Sequence, residues 1–79
     1  MITHLPPQEI TVLRHLFAEG SITNAEAQIV HRIRALPRRI STLVDRGVRI
    51  AKEDRRDVTG QRYRRYCLLE IPKHLEGFL

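Results

Sequence analysis

The sequence predicts a small, mainly α-helical domain closed by a β-hairpin, and three observations carry that expectation. Apolar residues recur at helical spacing in three successive segments up to Gly47, and from Val48 the period changes to two. Proline or glycine stands at the segment boundaries, at Pro6, Pro7, Gly20, Pro37, Gly47 and Gly60. Seventy-nine residues make one domain, with a core expected over about 6–70 and a tail over 71–79. A chain of this length buries only about 60% of the surface its unfolded form exposes, so no deep catalytic cleft is expected.

After a short lead, Met1–Leu5, the paired prolines Pro6 and Pro7 suit a helix start, where a missing N–H costs nothing, and Glu9 suits the positive end of the helix dipole. A first helix is predicted from Pro7 to Ala18, with Ile10, Leu13, Leu16 and Phe17 as its buried stripe and Gly20 as its stop. Thr23 and Glu26 have the spacing of a capping box, so a short second helix starts at Thr23, with Ser21 and Ile22 extended just before it. Ala25, Ala27, Ile29 and Val30 are its packing residues, and Arg32–Leu36 carry the turn that follows.

Pro37 belongs in a first turn and pushes Leu36 away from helical geometry. It therefore marks the start of a third helix, Leu36–Arg46, ended by Gly47. Leu36, Ile40, Leu43 and Val44 share its inward face; at about 100° per residue, Arg38, Thr42 and Asp45 point the other way, with Arg39 and Arg46 on one flank and Ser41 on the other. Beyond Val48, a polar stretch Lys52–Gln61 containing the turn residues Thr59 and Gly60 separates Ile50 from a returning strand, Arg62–Leu69. Tyr66 and Leu68 are its core side, since Tyr66 offers a large apolar body and a hydroxyl that reaches water. The tail, Ile71–Leu79, predicts one helical turn after Pro72.

Charge is unevenly distributed along this plan. Arg32–Arg65 carries twelve of the fourteen Lys and Arg residues against Asp45, Glu53, Asp54 and Asp57, a local charge of +8, whereas the flanking stretches are −2 and −1. Positive charge confined to one continuous stretch of a small domain, almost all of it arginine, is the footprint of a surface that meets nucleic-acid phosphate.

Three helices and a hairpin, together with Gly20-Ser21-Ile22-Thr23 and Glu26-Ala27, then Leu36, Arg39-Ile40, Leu43 and Gly47, then Gly60-Gln61-Arg62-Tyr63, Arg65-Tyr66 and Leu68, resemble the small winged helix-turn-helix proteins of phages and prophages. The resemblance covers about residues 8–69. It implies double-stranded DNA as partner, with the third helix in the major groove and the hairpin wing along the backbone, in a transcriptional regulator or excisionase-like factor. The turn before the third helix has Arg32-Ile33 where such proteins often carry glycine, and Pro37 shortens the helix at its groove-entering end.

Candidate DNA-binding residues follow from type and place. An outward guanidinium can span the O6 and N7 acceptors of guanine, which makes Arg38 the candidate base reader, with Ser41 and Thr42 beside it and Arg34 placed for a phosphate. Arg39, beside the buried stripe, suits either an acid or a phosphate. Arg55, Arg56, Arg62, Arg64 and Arg65 crowd a hairpin with little apolar material to bury, and a polyanionic partner explains such like charges; Glu53, Asp54 and Asp57 are the residues that oppose this by neutralising them locally. Asp45 is expected to pair with Arg46 or Arg49. The same basic fold also suits an acidic or nucleic-acid-binding site on a host protein. Leu75, Phe78 and Leu79 are candidates for a homodimer contact or for cover over the base of the first helix.

Other classes are not expected. The four histidines are scattered in sequence and Cys67 has no cysteine partner, so no metal or other cofactor is expected. No nucleophile has a histidine nearby and no glycine-rich phosphate loop is present, so an enzyme is not expected either. With no leader and no run of eighteen apolar residues, a soluble cytoplasmic protein without a membrane partner is expected.

Overall fold

A computed structural model of the protein describes residues 4–79. The chain runs α1 (Pro7–Glu19), β1 (Ser21–Thr23), α2 (Asn24–His31), α3 (Leu36–Asp45), β2 (Arg49–Arg56), β3 (Arg62–Glu70) and a 3-10 helix over Lys73–Phe78. The three strands form one antiparallel sheet in the order β1-β3-β2. Of the expected lead, Met1, Ile2 and Thr3 lie outside the described residues, while Leu5 is buried in the core.

Gly20, in the left-handed region at φ 84, ends α1 through its N–H on the Leu16 carbonyl. The buried side of α1 is Glu9, Val12, Leu13 and Leu16. The expected stripe is thus turned around the helix: Phe17 is 61% exposed and Ile10 half-buried. On that inner side Val12 is fully buried, and Arg39 of α3 lies 3.4 Å from the Glu9 carboxylate.

The capping box of α2 forms as expected: the Glu26 N–H donates to Thr23 Oγ1 at 3.1 Å and the Thr23 N–H to Glu26 Oε1 at 2.9 Å. Ala27 is the one buried residue of this helix; Ala25, Ile29 and Val30, expected to pack, are exposed. Ile33 in the following turn takes their place in the core, its N–H held by the Ala27 carbonyl at 2.9 Å. The histidines also depart from expectation, since His15 Nδ1 and His31 Nε2 meet at 2.9 Å and tie α1 to the end of α2.

The turn into α3 uses two left-handed residues, Arg32 at φ 55 and Ala35 at φ 56, where glycine would cost less. Ala35 then accepts the Arg38 N–H at 3.0 Å and opens α3, with Pro37 in its first turn. Leu36, Ile40 and Leu43 are buried, but Val44 is 47% exposed because its flank is left to solvent while α1 covers the flank of Arg39.

The hairpin is longer than the sequence reading allowed. β2 continues through the polar stretch to Arg56 and pairs with β3 all the way to Arg62, leaving only Asp57–Gln61 as the turn. Tyr66 is buried and Leu68 packs against the core, as expected. Beyond them the wing projects, which accounts for a long axis of 47 Å against 23 and 20 Å. The tail folds back, so that Leu75 is fully buried and Arg14 Nε donates to the Phe78 carbonyl at 2.7 Å. Leu75 is therefore core and Phe78 packs against it, leaving Leu79, 40% exposed, as the open apolar end of the tail.

Candidate nucleic-acid interface

Strand pairing sorts the wing's charges by face. Successive side chains of a strand alternate between faces and directly opposed residues share one. Lys52, Asp54 and Arg56 of β2 stand opposite Tyr66, Arg64 and Arg62 of β3, so they continue outward from the core-facing side. Four cations and one acid share that face. Glu53 and Arg55 stand opposite Arg65 and Tyr63 on the reverse face, where each cation meets an acid.

The wing acids are consumed within the fold. Asp54 Oδ1 accepts Arg64 Nε at 2.9 Å, and this contact first, then the charge itself, holds the Asp54 carboxyl below its usual range. Glu53 Oε1 accepts Arg55 Nε at 3.0 Å, its carboxyl likewise lowered by Arg55 and then by the Cys67 thiol. That thiol, raised by desolvation and by Glu53, is protonated and a poor nucleophile. Asp57 builds the turn: its Oδ1 accepts the Thr59 hydroxyl at 2.6 Å, the Thr59 N–H at 2.9 Å and the Gln61 N–H at 3.0 Å.

The Asp57 bonds, the Thr59 hydroxyl foremost, lower its carboxyl pKa. A depressed carboxyl contributes order above its unfolded pKa and loses it as pH falls through the folded value. We expect the amides of Thr59 and Gln61 to lose hydrogen-exchange protection as the pH drops below the ordinary carboxylate range. In Asp57→Ala they should be unprotected at all pH values, and a wild-type profile flat down to acid would refute the cap.

The ten sequence-predicted residues divide cleanly by partner. Arg39 NH1 lies 3.4 Å from Glu9 Oε1, with the Glu9 side chain 3% exposed. Arg65 NH1 donates to Ser21 Oγ at 2.9 Å and lies 3.5 Å from Glu26. Arg55 and Arg64 are held by Glu53 and Asp54. Thr42 is half-buried and donates its hydroxyl to the Arg38 carbonyl at 3.2 Å, while Ser41 is exposed. Arg34, Arg38, Arg56 and Arg62 are exposed and have no acidic partner among the described residues. The expected Asp45 pairing does not form: Arg46 donates to the His4 carbonyl and Arg49 lies 3.6 Å from Glu70.

Two further cations join the unpaired set, Arg32 in the turn and Lys52 on the core-facing side of the wing. Lys52 was legible only if β2 had been extended through the polar stretch, since parity then groups it with Arg56. Between the wing and the helices runs an open cleft of ≈ 1210 Å³, bounded by Asn24 and Gln28 of α2, Pro37 of α3, and Arg56, Arg62 and Tyr63 of the wing. The start of α3 and the charged wing thus border one space. Among the described residues no group of three or more His, Cys, Asp or Glu is placed to hold a metal, and no helix is long and apolar enough to cross a membrane.

A helix-turn-helix whose second helix starts beside a β-hairpin wing defines a class of DNA-binding domain. Residues 7–71 match the family model described as winged helix-turn-helix domain, and the chain belongs to that family. No curated protein and no solved structure matches it.

Proposed function

We propose that this protein is a non-enzymatic, double-stranded DNA-binding regulator of phage or prophage type, acting in the cytoplasm, with α3 entering the major groove and the wing following the backbone. The carrying observation is that the wing acids are spent on Arg55, Arg64 and the turn, so Lys52 keeps its charge on the same face of the wing as Arg56 and Arg62, and those two border the cleft that the start of α3 also borders. Phosphate contacts of this kind supply register and affinity, and an outward arginine supplies base readout. Arg38 takes the second role, with Arg32 and Arg34 flanking it.

The test is titration of a random duplex pool at about 50 and about 200 mM salt. Four to six unpaired cations at about 0.9 each give a log–log slope near −4 to −5, a loss of roughly 10²- to 10³-fold between the two conditions. Absence of any retained duplex at low salt would end this reading. That outcome would favour a protein-interaction module on the same fold, engaging a host protein, for which Ile29 (81% exposed) and Val30 (62% exposed) on α2 supply apolar surface.

A further inference from the structure

Arg65 differs from every other cation of the wing in where its partners lie. Arg55 and Arg64 pair within the hairpin and Arg49 with Glu70 of the same sheet, whereas Arg65 reaches Glu26 on α2 and Ser21 on β1. Glu26 Oε1 is already the acceptor that closes the cap of α2 on the Thr23 N–H. Thr23 in turn stands directly opposite Arg65 in the β1–β3 pairing. One carboxylate oxygen therefore joins the start of α2 to the root of the wing. The Arg65 side chain is only 25% exposed and its Nε is buried without a partner, so the guanidinium is drawn into the joint rather than left facing solvent.

From this geometry we propose that Glu26 and Arg65 are positioning residues that fix the angle between the wing and the helix-turn-helix, and that Arg65 makes no phosphate contact of its own. The proposal rests on the DNA-binding reading for its functional consequence. Its physical basis is leverage: the wing projects beyond the core, so a small rotation at the root displaces Arg56 and Arg62 at the tip by a much larger amount. A contact that orders the root sets whether the tip cations and α3 engage one duplex together, and preorganisation of that kind strengthens binding without touching the ligand.

Glu26→Gln separates this from simple electrostatics, because the glutamine oxygen still accepts the Thr23 N–H while the charge holding Arg65 is gone. If Arg65 were a phosphate ligand restrained by Glu26, Glu26→Gln would tighten duplex binding, and Arg65→Gln would lower the salt slope by about 0.9. The positioning role predicts the opposite sign: both variants weaken binding, both lower the slope by about 2 through loss of Arg56 and Arg62 at about 0.9 each, and the double variant is no worse than either single one. Residual dipolar couplings of wing amides, measured in the free protein, should shift relative to those of α2 in both variants, with the Thr23 amide still protected. Tighter binding by Glu26→Gln, or unchanged wing couplings, would overturn the proposal. A wild-type protein that binds no duplex would remove the DNA-binding reading alone, and the couplings would still decide the role of the joint.

Discussion

Replacement of Arg39 by methionine is expected to lower the melting temperature by about 10 °C. The Glu9 side chain is 3% exposed, and Arg39 is the cation that faces it. Removing one partner of a buried ion pair costs about 3 to 5 kcal/mol, because the remaining charge is left without compensation. The Arg39 side chain is 27% exposed and the contact is 3.4 Å long, so water screens the pair and about 2 kcal/mol is the appropriate figure. At about 4 to 8 °C per kcal/mol for a domain of this size, that is a shift of roughly 8 to 16 °C.

The loss should be recoverable in a specific way. Glu9→Leu combined with Arg39→Met replaces both charges by apolar groups of similar reach, and such exchanges are often neutral or stabilising. The double variant is therefore expected to melt near the wild type, while Arg39→Met alone does not. Thermal unfolding followed by far-ultraviolet circular dichroism measures both. A single variant within about 2 °C of wild type would show that Glu9 finds water or another donor, and the pair would then have no role in seating α3 on α1.

This pair also marks where sequence reading stops. Signals contained within one segment were legible: the Thr23–Glu26 capping box, the Gly20 stop, the proline openings at Pro7 and Pro37, and Tyr66 on the inner face of β3. Each depends on a few neighbouring residues and on backbone rules that act locally. The inward place of Glu9 is matched instead by a partner thirty residues away, Arg39, which helical spacing within α1 does not reveal, and that spacing alone favoured Phe17 over Glu9. The extent of β2 was hidden for a related reason. Its outer half buries no apolar side chain and is held by ladder bonds and by Asp54 opposite Arg64, ten residues further on.

The same limit governs the interface. A basic segment of the chain was visible from the charge distribution, but which arginines remain unpaired depends on strand register and on contacts between elements. Register pairs Asp54 with Arg64, and the meeting of α2 with the sheet pairs Glu26 with Arg65. Eight of the ten candidates named by the sequence are arginines of one apparent kind. The fold separates them into joints within the protein, at Arg39, Arg55, Arg64 and Arg65, and exposed cations at Arg34, Arg38, Arg56 and Arg62.

Among those exposed cations, Arg38→Ala is expected to relax sequence preference, while Arg56→Gln and Arg62→Gln are expected to weaken binding uniformly. Arg38 is exposed in the first turn of α3, next to Pro37 at the mouth of the cleft, and a bidentate arginine contributes about 1 to 3 kcal/mol of discrimination between bases. Its removal should therefore lower the ratio of affinities for a selected site and a random duplex by roughly 5- to 150-fold, at 1.4 kcal/mol per tenfold. Arg56 and Arg62 stand opposite each other at the wing tip, where a phosphate contact carries no sequence information. Each glutamine substitution should lower the salt slope by about 0.9 and leave the affinity ratio unchanged. Thr42→Val provides the control within α3, because the Thr42 hydroxyl already donates to the Arg38 carbonyl and is not free to donate to a base. Competitive selection from a random pool followed by titration of the recovered site measures all four variants. Equal losses on selected and random duplex for Arg38→Ala would reduce Arg38 to one more phosphate contact and move base readout to another residue of the interface.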